Sequence, residues 1–218
     1  MQLVKRSYAG VMHVIGELGP LRKLAEAAQV SDVYGWRRWA ASLLAIHDVK
    51  RMIALGLPWW NVRATREIEE YLARNPGARV FEYGAGASTA WLARRAGTVI
   101  SVEHNEEWQK RLVPLLASLG NAVVWKRDLA GDAYVGAIDE AGGQFDLIVI
   151  DGRRRTECLV HAMPHLKPGG VILFDDSGRR RYRSSMKHCG LQERRHFGRS
   201  YCVPYPDSTS ILYGRYEG

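Results

Sequence analysis

Val80-Phe81-Glu82-Tyr83-Gly84-Ala85-Gly86-Ala87-Ser88-Thr89 decides how the rest of this chain is read. An apolar, strand-like run closes on an acid and then on two glycines one residue apart. A helix-like run, Ala90-Trp91-Leu92-Ala93-Arg94-Arg95, follows. A backbone that turns so sharply from strand to helix needs residues without a bulky Cβ. Glycine also lets a ligand lie against the main chain, at the positive end of the next helix. The stretch predicts a cradle for a nucleotide-type cofactor; a strand–turn–helix with no ligand is the alternative.

A dinucleotide loop reads G-x-G-x-x-G, with a pyrophosphate on the helix N-terminus. Gly84 and Gly86 fit that pattern, but position 89 is Thr. Glu82 beside the cradle would repel a pyrophosphate and suits a cationic amino-acid group. An acid followed by Gly-x-Gly resembles the motif of S-adenosylmethionine methyltransferases, whose cofactor has no phosphate and carries an α-amino group. Next, Thr98-Val99-Ile100-Ser101-Val102-Glu103 is a β-branched run that again ends in an acid. An acid at that place can accept from ribose hydroxyls, and His104 beside it can touch the adenosine. A third run, Ala122-Val123-Val124-Trp125-Lys126, leads to Asp128, which can accept from an adenine amine or sit in a turn.

The chain has 218 residues, enough for one ordinary domain with an N-terminal extension. Hydrophobic residues make up 46% and charged residues 25%, which predicts a globular chain rather than a disordered one. A net charge of +8 permits an anionic partner without requiring one. Cys158, Cys189 and Cys202 are scattered with no CxxC, so neither a disulfide framework nor a zinc motif is expected; a reducing, cytoplasmic setting fits. No apolar run approaches the roughly 18 residues of a membrane span. Lys5 and Arg6 precede an apolar run, Tyr8 to Ile15, that His13 interrupts; it is read as a helix rather than a signal peptide.

Residues 1–75 read as a helical N-terminal extension and residues 76–218 as the cofactor-binding domain. Leu21, Leu24, Ala25 and Ala28 recur at helical spacing, as do Leu43, Leu44, Ile46 and His47, then Val49, Ile53 and Leu57. Pro58 is expected to end that helix. Trp59 and Trp60 lead to an amphipathic run, Ala64 to Leu72, and read as aromatic packing, with a pocket role as the alternative. Asn75-Pro76-Gly77 breaks the chain before the first strand. Strands are predicted near 79–83, 98–103, 122–126, 145–150 and 170–174. Helices are predicted near 88–96, 105–119, 131–141 and 156–165. This alternation implies a parallel sheet with helices on both faces, and ligands beyond the carboxyl ends of the strands. In the tail, a helix-like run from Arg180 to Cys189 precedes two strand-like runs, Gln192–Phe197 and Ser208–Tyr213. They suggest an antiparallel pair closing the sheet.

Phe145-Asp146-Leu147-Ile148-Val149-Ile150-Asp151-Gly152 and Leu166-Lys167-Pro168-Gly169-Gly170-Val171-Ile172-Leu173-Phe174-Asp175-Asp176 are buried strands that end in acids. If they are neighbours, Asp151, Asp175 and Asp176 converge. Clustered carboxylates hold protons unless a cation offsets them. The cation could be Mg²⁺ on oxygen ligands, or it could come from the arginine runs 153–155 and 179–181. Taken in order, the four motifs over about residues 58–214 resemble the class I S-adenosylmethionine-dependent methyltransferases, most closely the group around catechol and caffeoyl-CoA O-methyltransferases.

The resemblance implies a Rossmann-like α/β fold, with a mostly parallel seven-stranded sheet and one antiparallel C-terminal strand. It implies that Glu82, Tyr83, Gly84, Ala85, Gly86, Ser88, Glu103, His104, Asp128, Leu129 and Asp151 border the cofactor. It matches Asp151, Asp175 and Asp176 to the family's metal site. Two positions depart from the family pattern: 176 is Asp rather than Asn, and the family's catalytic Lys falls on Arg154. Arginine stays protonated and cannot serve as a base. A carboxylate base, Asp151 or Asp175, with Arg154 as a clamp on the acceptor, fits the residues as well. The implied acceptor is a small molecule or glycan, anionic if the arginines face it. Tyr182 and Tyr201 among the arginines would tolerate a nucleic acid, although no nucleic-acid module signature is present. Two rival readings stay open: an NAD-dependent oxidoreductase, and a non-catalytic binder of RNA or glycan.

Overall fold

The computed structural model describes residues 26–214. The predicted helix at Tyr8 to Ile15 and the apolar positions Leu21, Leu24 and Ala25 lie outside the described residues. In chain order the elements are α1 (Trp36–Leu43), α2 (Val49–Leu55), α3 (Val62–Arg74), β1 (Arg79–Tyr83), α4 (Ala87–Ala93), β2 (Thr98–Glu103), α5 (Glu106–Leu116), β3 (Ala122–Lys126), α6 (Ala137–Ala141), β4 (Phe145–Ile150), α7 (Arg155–Ala162), β5 (Leu166–Phe174), α8 (Arg180–His188), β6 (Gln192–Gly198) and β7 (Asp207–Tyr213).

The strands form one seven-stranded sheet in the order β3-β2-β1-β4-β5-β7-β6. β1 to β5 run parallel, and β7 runs antiparallel between β5 and β6. The strand order reverses between β1 and β4. That crevice is where open α/β sheets receive ligands. Val80, Phe81, Leu147, Ile148, Val149 and Ile150 are wholly buried, as expected of central strands covered on both faces. On one face Phe81, Tyr83, Tyr134, Ile148 and Phe174 pack with α6, α7 and α8. On the other, Val80, Leu147 and Val149 pack with Trp60, Ile68, Leu72, Trp91 and Leu92. The layer therefore includes α3, which the sequence reading placed in the extension.

Local chemistry sets most element ends. Asp48 accepts from Arg51 N at 3.1 Å and starts α2. The left-handed Gly56 (φ 66°) stops α2, two residues before Pro58, the predicted terminator. Asn61 caps α3 through Arg63 N at 2.9 Å. The helix predicted at 131–141 shrinks to α6, because residues 132–136 form turns after the left-handed Gly131 (φ 61°). α1 and α2 lie against the start of α4 and the β6–β7 loop, in a cluster with Ala87, Tyr201 and Cys202. Trp39 Nε1 donates to Ser200 O at 2.9 Å, and Tyr201 Oη to Val33 O at 3.0 Å. All three cysteines are free and buried. No helix of the described residues is long and apolar enough to cross a membrane.

Candidate active site

The β1–α4 loop and the β4–α7 loop meet where the strand order reverses. Gly84 has φ +98°, and a Cβ there would lie 2.7 Å from Gly152 Cα and 2.8 Å from Gly152 N. In return, a Cβ on Gly152 would lie 1.9 Å from Tyr134 Oη and 3.0 Å from Gly84 N. Asp151 N donates to Tyr83 O at 3.0 Å, and Gly84 N to Val102 O at 2.9 Å, so β2, β1 and β4 are stitched at their carboxyl ends. Gly86, by contrast, faces open space: only Ser88 Oγ, at 3.8 Å, lies within 4 Å of where its Cβ would be. Gly84 thus serves contact between loops, whereas Gly86 leaves room for a ligand.

These distances predict a difference between glycines. Gly84→Ala should destabilise the protein by about 2–4 kcal/mol, from an unfavourable φ plus a clash with backbone that cannot yield. Gly120→Ala is the control, since Gly120 has φ +64° but nothing within 4 Å of its Cβ position. It should cost only about 1 kcal/mol. Urea unfolding of both variants checks this; equal losses would remove the loop contact from the explanation.

Glu82 is fully buried, and its carboxylate takes hydroxyls from three residues. Ser88 donates to Oε1, while Thr89 (2.5 Å) and Ser101 (2.6 Å) donate to Oε2. Burial pushes its carboxyl up to about 7 despite these donors. The expected direct contact between Glu82 and a ligand's amino group is not what this geometry offers. The enclosed carboxylate ties the cradle's hydroxyls to β2 instead. Tyr83 likewise turns its side chain into the core, where Oη donates to Val135 O at 2.6 Å. Only its backbone borders the loop.

Glu103 is buried to 5% exposure at the end of β2. Its Oε1 accepts from the amides of His104 (2.8 Å) and Asn105 (2.7 Å) and lies 2.8 Å from His104 Nδ1. No described residue donates to Oε2, which leaves one carboxylate oxygen for a ligand. The His104 ring meets Tyr134 edge-on at 6.2 Å. Trp108 donates Nε1 to Ala85 O at 2.8 Å and so lies over the cradle. Sequence reasoning missed it, since nothing in a helical Trp signals that reach. The Asp128 side chain, at the end of β3, is 78% exposed and ion-paired with Lys126. Leu129 packs against the core.

The strand-end acids converge as expected, but the cation among them is a residue the sequence reading did not pick. Arg155 Nη2 lies 2.8 Å from Asp151 Oδ1; Nη1 lies 3.6 Å from Asp175 Oδ2 and 3.3 Å from Asp176 Oδ2. The same guanidinium donates to the carbonyls of Gly152 (3.0 Å) and Asp151 (2.9 Å). Arg179 adds a second pairing to Asp176 at 2.7 Å. Asp151 Oδ2 also accepts from Trp60 Nε1 at 3.2 Å, and Asp175 Oδ1 from Thr209 Oγ1 at 2.6 Å. Asp207, at the start of β7, joins the cluster and was likewise missed. Burial, followed by neighbouring carboxylates, pushes its carboxyl up to about 6. Burial pushes Asp151 up to about 6, although Arg155 pulls the other way. Burial and then the charge of Asp151 push the Asp175 carboxyl well above the usual carboxylate range.

Arg154 is a correction. It caps α7 in a left-handed conformation (φ 49°), which turns its side chain away from the acids. Its guanidinium pairs with Glu157 (Nε–Oε2 2.9 Å), reaches Asp132 at 3.4 Å and donates to the carbonyl of Gly131. The predicted clamp is therefore engaged with its own helix and the 129–132 loop. The implied Mg²⁺ is the second correction. Among the described residues, no group of three or more His, Cys, Asp or Glu side chains is arranged to hold a metal ion. The physical reason is Arg155, whose guanidinium occupies the centre a divalent ion would need; the donor set does not fit one.

Residues 81–177 match the family described as "Methyltransferase domain". Among solved structures, the chain is similar to a protein from Klebsiella pneumoniae provisionally described as an O-methyltransferase. They share 18% identity at a TM-score of 0.60, over 97% of this chain and 99% of that one. It is also similar to precorrin 8W decarboxylase of Methanobacterium thermoautotrophicum (TM-score 0.53, 18% identity, 73% of this chain and 93% of that one). An rRNA methylase from Streptococcus thermophilus aligns at a TM-score of 0.53 and 13% identity, over 69% of this chain and 96% of that one. These structural likenesses show the fold. No curated protein matches the chain in sequence. The family match covers the loops that carry Gly84, Glu103, Asp151 and Asp175, so residues 81–177 are similar to a methyltransferase domain, and the chain around them has the Rossmann-like fold of the solved methyltransferases.

Proposed function

We propose that the protein transfers a methyl group from S-adenosylmethionine to an oxygen of a small or medium acceptor, with Asp151 as the base. The observation that carries this reading is the placement of two carboxylates on either side of one glycine cradle. Glu103, with one oxygen unclaimed, closes the cofactor side at β2. Asp151, 18% exposed, opens the acceptor side at β4. When bound, the cofactor supplies an electrophilic sulfonium methyl group. Gly86 would leave main chain open to the bound group, with Trp108 beside the cradle, and Glu103 Oε2 would accept from its ribose hydroxyls. Glu82 is assigned to shaping the loop, because hydroxyls enclose it.

On the acceptor side, Trp60 and Arg155 hold the two oxygens of Asp151 apart and in place. A carboxylate pushed up to about 6 takes the acceptor's proton more readily than an ordinary aspartate. Placement of the two reactants supplies most of the rate, as it does wherever a bimolecular step becomes effectively unimolecular.

Isothermal titration tests the cofactor half. The wild-type protein should bind S-adenosylmethionine and not NAD; tight NAD binding with none of S-adenosylmethionine would overturn the reading. Glu103→Ala should weaken S-adenosylmethionine by about 10²-fold, the effect of removing charged hydrogen bonds to the ribose. An unchanged affinity in a folded variant would remove Glu103 from the site. Incubating metabolite and glycan pools with methyl-labelled cofactor would then identify the acceptor. If no pool took up label although the cofactor bound, a binding role would be favoured instead.

A further inference from the structure

A cavity of about 330 Å³ opens beside the acid cluster, between the N-terminal ends of α7 and α8. Five arginines line it, Arg153, Arg154, Arg155, Arg179 and Arg181, against one acid, Glu157. Three of these charges are answered: Arg154 by Glu157, Arg155 by Asp151, Asp175 and Asp176, and Arg179 by Asp176. Arg153 and Arg181 have no carboxylate partner among the described residues. Arg181 is nevertheless held in place, with Nη2 2.7 Å from Tyr182 Oη and its guanidinium 4.7 Å from the Tyr182 ring. No side chain of either cap residue accepts from the first-turn amides of α7 or α8, and the first turn of α8 carries no acid. The cavity therefore combines two unanswered cations with two uncapped helix ends, all of which favour an anion.

We infer that this cavity holds a phosphate-type dianion carried by the acceptor, fixing it with its reacting oxygen toward Asp151. This rests on the methyltransferase reading above. Two arguments favour a dianion on a small molecule. The two unanswered charges match a phosphate monoester rather than a carboxylate. The volume lies at the lower end of small-ligand pockets, whereas a nucleic-acid backbone needs a continuous basic groove. Arg155 connects the two parts of the site, since it lines the cavity and touches Asp151 Oδ1 at 2.8 Å.

The test is titration of inorganic phosphate, acetate and a short single-stranded RNA into protein saturated with S-adenosylhomocysteine, at constant ionic strength. Phosphate should bind saturably and more tightly than acetate. The double variant Arg153→Ala, Arg181→Ala should lose phosphate affinity by about 10²-fold, roughly tenfold per arginine. Its S-adenosylhomocysteine affinity should stay unchanged. Arg153→Lys, Arg181→Lys should recover part of the phosphate affinity. No saturable phosphate binding, or binding that the double alanine variant retains, would overturn the inference. RNA binding tighter than phosphate and lost in the same variant would also overturn it, in favour of a nucleic-acid acceptor. Failure of the wild-type protein to bind S-adenosylhomocysteine would count against the methyltransferase reading alone, because phosphate binding can be scored without it.

Discussion

Asp151→Asn is expected to reduce turnover by about 10²–10⁴-fold, the usual contribution of a positioned base, while leaving the fold at least as stable as before. The two expectations have one cause. Asp151, Asp175, Asp176 and Asp207 face two guanidiniums, those of Arg155 and Arg179, so the cluster carries more carboxylates than cations. Neutralising one carboxylate relieves repulsion, and that gain offsets the one acceptor lost, since the amide keeps an oxygen for Arg155 but has no acceptor for Trp60 Nε1. In the wild type, kcat/KM should rise with pH through about 6 as Asp151 loses its proton, and level off above that. The asparagine variant should lack that rise. A variant with wild-type turnover, or one that keeps the same pH limb, would place the base elsewhere.

Arg155→Met is expected to cost about 3–5 kcal/mol at neutral pH, the penalty for removing one partner of a buried ionic cluster. The guanidinium is 9% exposed, so little solvent is available to replace it. It also braces two strand ends through the carbonyls of Asp151 and Gly152. The loss should shrink in acid. Raised carboxyls keep protons in the folded state that the unfolded chain has already released. Stability therefore falls as pH rises from the ordinary 3.8 toward about 6 for Asp151 and Asp207. Removing the cation pushes the Asp151 and Asp175 carboxyls higher still and deepens that fall. Urea unfolding of both proteins at pH 5 and pH 7.5 tests this. A deficit independent of pH would mean that Arg155 acts through packing and carbonyl contacts rather than charge.

The central fold was legible because period and chemistry agreed there. The apolar runs that became β1 to β5 each lead within two residues to an acid or a glycine, and the breakers between them are strong. The tail was legible as two strands, but not that β7 would lie between β5 and β6. That placement brings Asp207 to the end of β5, and a residue in a Pro-containing loop gives no hint of it. The arginine run shows the limit most clearly. Arg153, Arg154 and Arg155 are chemically alike in sequence, and only the left-handed φ of Arg154 decides which of them turns inward. Family spacing pointed to Arg154; the helix start pointed to Arg155, four residues after Asp151. Glu82 reads from sequence as a ligand contact and not as enclosed, because Ser88, Thr89 and Ser101 reach it from three directions that only the folded chain defines.

The bare contact between Gly84 and Gly152 has a consequence for anyone who would re-engineer this protein. With no side chain between them, the two loops are a single wall with two faces. Loop grafting usually assumes that specificity can be exchanged on one side without disturbing the other. Here a transplanted β4–α7 segment that brings any larger residue to position 152 would displace the opposite loop as well. Libraries aimed at new acceptors should therefore vary residues from 153 onward and keep the two glycines as an inseparable pair.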